Sequence, residues 1–240
     1  MKSIKQNIKR WPVVLGVVCS VAIALSSCVK NHNVTPTKPI AGLALVDACP
    51  DAPALDFYLS GQQVNLNPIT LGNYFNYFNA YAGNVPAVFY QAGTTTLVAK
   101  DTISLAANHS YTLFLANTEA HADFILTKDS VTAPASGTIS VRFVDASPDA
   151  GVVDLIVKGA SGSIVPSVGY RSVSGFMPVT VAATDSLQVR QSGTSTILAS
   201  VPASHFVNGS VYTVWLYGLA NTTVAAQKLK AGIMQNAYFY

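Results

Sequence analysis

Six aspartates, in two groups of three, are the residues of this chain whose type and spacing could do chemistry. They belong to a ten-residue phrase that occurs twice, as DACPDAPALD from residue 47 and as DASPDAGVVD from residue 145. The six are Asp47, Asp51, Asp56, Asp145, Asp149 and Asp154. Three carboxylates within ten residues offer the oxygen ligands that Ca²⁺ prefers. One interpretation of each phrase is therefore a calcium site.

The second interpretation of the phrase is structural, and we favour it. Pro50 and Pro148 preset the backbone of a turn, and an aspartate at the start of a turn accepts hydrogen bonds from backbone amides. Asp56 and Asp154 alternate with apolar residues, so we expect them to face water. We predict neither a metal nor a cofactor.

An aromatic segment, NYFNYFNAY at residues 73–81, occurs only in the first half of the chain. Tyrosine and asparagine together make amphipathic surfaces that stack on sugar rings and bond their hydroxyls. The candidate ligand surface is Tyr74, Tyr77 and Tyr81, and the alternative is packing in a core or an interface. In a regular strand Phe75 and Tyr77 would share one face.

The residues that commonly carry catalysis are scattered. His109, His121 and His205 lie in separate turn or linker contexts, without a paired metal-ligand spacing. No serine occupies a nucleophile elbow. Cys49 is matched by Ser147 in the second phrase, which favours a packing role. We therefore predict a protein that is not an enzyme.

Strand patterns fill the chain after its first residues. Residues Ile139, Val141 and Phe143 alternate with Ser140 and Arg142, which predicts a strand with one face in a core and the other in water. Similar runs recur about 98 to 100 residues apart, and no sustained helical period follows the N-terminal segment. The sequence predicts an all-β protein of two tandem Greek-key sandwiches, immunoglobulin-like or transthyretin-like.

The repeats define the predicted domains. The domains are a leader (1–27), a tether (28–40), a first sandwich (41–131), a linker (132–137) and a second sandwich with a C-terminal extension (138–240). The tether contains two prolines and has no apolar periodicity, as expected of an extended connection.

The N-terminal residues have the pattern of an export signal. A basic stretch precedes a short apolar run, and Leu25-Ser-Ser-Cys28 follows. This tetrapeptide resembles the lipobox of bacterial lipoproteins, which implies cleavage before Cys28, a lipid on Cys28, and attachment to a membrane of the cell envelope, expected to be the outer membrane. The residues after Cys28 include no acidic side chain near it, which favours the periplasmic face over the cell surface.

Charge excludes one class of partner. Four of the 14 lysines and arginines precede Cys28, whereas none of the 11 acidic residues does, so the mature chain carries ten cations against eleven acids. No basic stripe remains to attract nucleic acid.

The repeated phrase is similar to the signature of a bacterial extracellular family, domain of unknown function 4397. Residues 145–150 with Asp154 match that signature closely, and residues 47–53 with Asp56 depart from it at Cys49. The resemblance covers residues 41 to 225 or so and implies an envelope protein of β-sandwich fold in two copies. It implies no activity.

These observations predict a lipid-anchored envelope protein that binds or scaffolds, with a glycan or another envelope protein as its partner. The alternative is a hydrolase or accessory enzyme that acts on envelope polysaccharide.

Replacing Cys28 tests the anchor. Cys28→Ala should leave unprocessed precursor without attached lipid, because the resemblance to a lipobox implies that Cys28 carries the lipid, and labelling with a fatty-acid analogue would detect this. Normal maturation of the variant would contradict the lipobox interpretation.

Overall fold

The computed structural model describes residues 38–182 and 185–240. The predicted leader, the lipidation site Cys28 and the tether up to residue 37 lie outside the described residues. Helices in the described part are short 3₁₀ turns, and no helix there is long and apolar enough to cross a membrane.

The described chain forms sixteen strands, eight in each half. The first half contains β1 (Ile40–Asp47), β2 (Leu55–Leu59), β3 (Gln62–Gln63), β4 (Tyr74–Tyr81), β5 (Gly83–Gln91), β6 (Leu97–Leu105), β7 (Ser110–Ala116) and β8 (Asp123–Lys128). The second half contains β9 (Ile139–Asp145), β10 (Val153–Val157), β11 (Ser163–Val168), β12 (Met177–Val179), β13 (Ser186–Gln191), β14 (Ile197–Pro202), β15 (Ser210–Tyr217) and β16 (Lys230–Tyr238).

The two halves have the same strand order. The first half forms sheets β4-β1-β7-β8 and β3-β2-β5-β6, and the second forms β12-β9-β15-β16 and β11-β10-β13-β14. In each half the first strand pairs in parallel with the seventh. An immunoglobulin sheet pairs its first strand with its second, whereas here the first strand of each half lies between the fourth and the seventh. The predicted all-β sandwich is confirmed.

Each half has its own apolar core between its two sheets. Leu43 and Leu45 of β1 point into the first core together with Phe57 and Phe89, and Phe143 of β9 points into the second. The alternating sequence explains this, because residues two apart in a strand lie on one face.

A third core joins the halves, because the outer faces of sheets β4-β1-β7-β8 and β12-β9-β15-β16 pack together. Phe114 and Trp215 meet edge to face there, with ring centroids 6.0 Å apart. Trp215 covers Gly232 on the neighbouring strand, where a side chain would collide with the indole ring. Residues 38–182 and 185–240 therefore form a stack of four sheets with three cores.

This packing corrects the expectation that one face of β9 is wet. Arg142 is 1% exposed, and Ser140 is also buried. Nη2 of Arg142 lies 2.6 Å from Oδ1 of Asp129, which follows β8 in the other half. The guanidinium also donates to Thr213 and, across the interface, to Thr127. A buried cation is therefore paired and hydrogen-bonded across the two halves.

The same network reaches the aromatic segment. The Tyr77 hydroxyl donates to Oδ2 of Asp129 at 2.6 Å, and Thr112 donates to the same oxygen. Asn236 of β16 donates to the Tyr77 hydroxyl at 2.8 Å. Side chains of both halves thus surround one buried carboxylate.

The interface contacts align the two halves. Asp123 and Asp129 lie at opposite ends of β8, and they contact Arg171 and Arg142 of the second half respectively. Strands β1 and β9 therefore begin at one end of the molecule, the Lys38 end, and finish at the other. We call the second end the motif end, because both repeated phrases lie there.

We expect Arg142→Met to lower the free energy of unfolding by about 3–5 kcal/mol, because Asp129 would stay buried without its cation. Urea unfolding at neutral pH would measure the change. Arg171→Met is the control, since its ion pair with Asp123 is partly exposed and should contribute about 1 kcal/mol or less. Equal losses in the two variants would contradict this account of the interface.

Candidate functional site

The first aspartate of each phrase holds the turn that follows its strand. Asp47 Oδ1 accepts a hydrogen bond from the Cys49 amide at 3.0 Å, and Asp145 Oδ1 accepts one from the Ser147 amide at 3.0 Å. Both aspartates are fully buried. The equivalent geometry shows that this position has one structural role in both halves.

The second aspartate of each phrase holds a neighbouring loop. Asp51 Oδ1 accepts from the Glu119 amide, in the loop between β7 and β8. Asp149 accepts from two amides, those of Ala220 and Asn221, in the matching loop between β15 and β16. These carboxylates stabilise backbone segments about 70 residues away along the chain.

The third aspartate of each phrase accepts a hydrogen bond from a different part of its own half. Asp56 accepts from the Gly93 amide in the β5–β6 turn, and Asp154 accepts from the Ser167 amide in β11. Asp56 is 7% exposed, so the expectation that it faces water is wrong, because the turn folds over it. Asp154 is half-buried. In residues 38–182 and 185–240, no group of three or more acidic, histidine or cysteine side chains is placed to hold a metal ion.

Two of these carboxyl groups remain partly unsatisfied. Oδ2 of Asp47 and Oδ2 of Asp145 are buried and accept no hydrogen bond. Burial raises the pKa of each carboxyl to about 7. Burial also raises the pKa of the neighbouring Cys49 thiol, which is inaccessible to solvent. A packing role fits Cys49.

The aromatic segment forms β4, an edge strand that pairs with β1 alone in its sheet. The pairing register with β1 shifts between Leu43 and Leu45, which oppose Phe78 and Phe75. This bulge places Phe75 and Phe78 against the same core, with ring centroids 5.8 Å apart. The expectation that Phe75 and Tyr77 share a face is therefore wrong, because one extra residue inverts the alternation.

The three candidate tyrosines lie in three different environments. Tyr77 is half-buried with its hydroxyl in the interface network, and burial together with Asp129 raises its pKa. Tyr74 and Tyr81 are 43% and 59% exposed. They stand at opposite ends of β4, about 23 Å apart at roughly 3.3 Å per residue. The set does not form one surface.

Tyr74 borders a groove of 490 Å³ at the motif end of β4. Its wall is the segment between β3 and β4, which is hydrogen-bonded to β2 through Val64 and Ile69, and Leu66 at the rim is 95% exposed. The lining residues are Val64, Leu66, Asn67, Pro68, Ile69, Thr70, Asn73, Tyr74 and Phe75. The groove thus combines an aromatic ring, apolar side chains and neutral polar groups.

Asn65 holds the wall of this groove, and the sequence pattern did not single it out. The side-chain amide of Asn65 is fully buried and makes hydrogen bonds that a neighbouring strand would otherwise make to this backbone. Its Oδ1 accepts a hydrogen bond from the Phe57 amide, and its Nδ2 donates to the carbonyls of Leu55 and Asn67. The turn-forming residues at 65–68, NLNP, were the available signal.

Tyr81 borders a separate hollow of 630 Å³ at the Lys38 end. The Lys38 ammonium lies 5.0 Å from the centre of the Tyr81 ring, in a cation–π contact. Gln62, Asn79 and Phe78 also line this hollow. Its character is therefore cationic and aromatic, unlike the uncharged groove at Tyr74.

A comparison with protein families gives one match, which covers part of the chain. The family model of a domain of unknown function, DUF4397, matches residues 41–156, from β1 to β10, so a DUF4397 domain is present there. This single match includes both copies of the repeated phrase. No curated protein matches the chain.

Two solved structures are similar at a low level. One is described as alpha-glucan binding by a streptococcal virulence factor; it is 8% identical, with a TM-score of 0.23, and the match covers 80% of this chain and 97% of that one. The other is described as alpha-glucan recognition by family 41 carbohydrate-binding modules from streptococcal virulence factors, at 10% identity, a TM-score of 0.24 and coverages of 80% and 96%. Similarities this low carry no argument about the ligand of this chain.

The two buried carboxyls predict how stability depends on pH. Their pKa values are higher in the folded than in the unfolded chain, so they contribute stability below about pH 4 that is lost as pH rises through about 7. We expect Asp47→Asn and Asp145→Asn each to lose less stability than wild type between pH 5 and pH 8, measured by urea unfolding. Asp101→Asn, at an exposed position of β6, should behave as wild type. Unchanged pH dependence in both buried-site variants would contradict the prediction.

Proposed function

We propose that this chain is a lipid-anchored protein of the bacterial cell envelope, expected at the outer membrane, and that it binds a glycan without catalysis at the groove beside Tyr74. The single observation that carries the proposal is the composition of that groove, an exposed tyrosine ring among neutral amide and hydroxyl groups.

The groove offers both parts of sugar recognition. The half-exposed ring of Tyr74 provides an apolar face for stacking, as aromatic side chains do at recognition sites. Asn67, Thr70 and Asn73 are exposed beside it and can bond hydroxyl groups. Asn73 already donates to the Thr70 hydroxyl at 2.7 Å, which orients both side chains before a ligand binds.

The charge of the groove favours binding over hydrolysis. Its nine lining residues include no acidic, basic or histidine side chain. An uncharged, hydroxyl-rich ligand would therefore be bound without desolvating a charge. Glycoside hydrolases commonly use a pair of carboxylates on either side of the scissile bond, and the groove lining supplies none, so we favour a binding protein over the hydrolase alternative.

The position of the groove suits an anchored protein. The chain enters the body from Cys28 at Lys38, whereas the Tyr74 groove lies at the motif end. The eight residues of β1 span about 26 Å between the two ends. A lipid on Cys28 would therefore be joined to the body at the end opposite the groove.

The two halves, which we take to be tandem copies of the family domain, differ where the groove lies. The eight-residue strand β4 corresponds to β12, which has three residues and is not aromatic-rich. We therefore assign the ligand site to the first half alone.

Affinity measurements test the proposal. We expect lipid-free residues 38–240 to bind a polysaccharide from envelope preparations or a glycan array, and Tyr74→Ala to weaken binding about thirtyfold, the effect of losing about 2 kcal/mol at an aromatic hot spot. Tyr81→Ala is the matched control, since it removes an exposed tyrosine from the other end of the same strand.

Full binding by a stably folded Tyr74→Ala variant would overturn the site. Binding of an envelope protein instead of any glycan would overturn the ligand class.

A further inference from the structure

The exposed aromatic side chains are concentrated at one end of the described structure. The large aromatic residues exposed by more than a third are Tyr74, Tyr81, Tyr238, Phe239 and Tyr240. All except Tyr74 lie at the Lys38 end. Ile40 and Val207, 42% and 53% exposed, lie at the same end.

Backbone pairing places these residues together. Ile40 pairs with Tyr81 at the beginning of β1, and Tyr238 pairs with Ser210 at the beginning of β15. The contact between Asn236 and Tyr77 brings the final residues of β16 alongside β4, which ends at Tyr81. The two halves therefore contribute to one surface, which we call the aromatic face: Ile40, Tyr81, Val207 and residues 238–240.

Charge is distributed unevenly between the two ends. Eight of the eleven acidic residues lie at the motif end: Asp47, Asp51, Asp56, Glu119, Asp123, Asp145, Asp149 and Asp154. The cations at that end are Arg171, Arg190, Lys228 and Lys230. The cations at the Lys38 end are Lys38, Lys128 and Lys158. The acidic residues at that end are Asp185 and Asp129, and Asp129 is buried and paired with Arg142. The Lys38 end is thus formally positive and the motif end negative.

We propose that the aromatic face docks on the headgroup region of an anionic lipid bilayer. Tyrosine combines an apolar ring with a polar tip and is enriched at membrane interfaces for that reason. Lysine can keep its ammonium at the headgroups while its stem packs on apolar neighbours, as Lys38 already does on Tyr81. The negative motif end would be repelled by the same bilayer, so charge also sets the orientation.

A second copy of the chain fits this face less well. In a two-fold dimer the same patch meets itself, so Lys38 and Lys128 would approach their own counterparts with few acidic side chains to pair with. A bilayer containing anionic lipid supplies the complementary charge, worth about 1 kcal/mol for each lysine near its surface. The predicted lipid site, ten residues before Lys38, lies within about 35 Å along an extended chain.

The inference goes beyond glycan binding and does not depend on it. Docking by this face would hold the body against the membrane instead of leaving it free on its tether, and it would turn the Tyr74 groove outward.

Vesicle sedimentation tests the proposal in the absence of the lipid anchor. Residues 38–240 form one compact unit that contains all three cores, so this lipid-free form is suitable. We expect it to sediment with vesicles of equal phosphatidylglycerol and phosphatidylcholine in low salt, and much less with phosphatidylcholine alone. Tyr81→Ser and Phe239→Ser should each lower the partition coefficient severalfold, whereas Tyr74→Ser should leave it unchanged.

A charge pair provides a second comparison. Lys38→Gln with Lys128→Gln should lower the partition coefficient about 25-fold, a factor of about five for each lysine. Lys228→Gln with Lys230→Gln, which removes two exposed lysines from the motif end, should not lower it. Equal effects of the two lysine pairs, no sedimentation of wild type, or a dimer broken by Tyr81→Ser would overturn the proposal.

Discussion

The buried guanidinium of Arg142 is the constraint on which the arrangement of the two halves depends. A charge removed from water is costly unless it is paired and hydrogen-bonded, and Arg142 finds its carboxylate, Asp129, only in the other half. Satisfying it fixes how the two central sheets meet. Together with the contact between Arg171 and Asp123, it gives β1 and β9 a common direction, and Tyr77 is half-buried beside it.

The sequence was sufficient for the fold class and insufficient for the interface. Period-two alternation predicted the strands, since side chains two apart share a face. It could not distinguish a polar face in water from a polar face against another sheet, so Arg142 was expected in solvent. The burial of Asp56 has a related cause: its partner, the Gly93 amide, is 37 residues away along the chain, and no local pattern connects the two.

The exposure of the three candidate tyrosines differs from the expected alternation, and a single bulge explains the difference. The register shift against β1 changes which side chains of the aromatic segment share a face. Tyr74 and Tyr81 are exposed, whereas the hydroxyl of Tyr77 lies in the interface. Asn65 had no aromatic or charged signature. Its function lies in three backbone partners that only the folded chain brings together.

Comparing equivalent positions of the two halves shows where the packing between them restricts the residue type and where it does not. Gly72 and Arg171 occupy the same position, since each amide donates to the carbonyl of the first motif aspartate and each has a positive φ. Any side chain at Gly72 would collide with Tyr217, so that position must stay a glycine while the halves are packed. The equivalent of Tyr217 in the first half is Ala116, so a long side chain fits at Arg171 and reaches across to Asp123. The interface therefore dictates small differences inside the fold. The halves also diverge at their edge strands, because β12 has three residues where β4 has eight, and the groove beside Tyr74 lies at one end of β4.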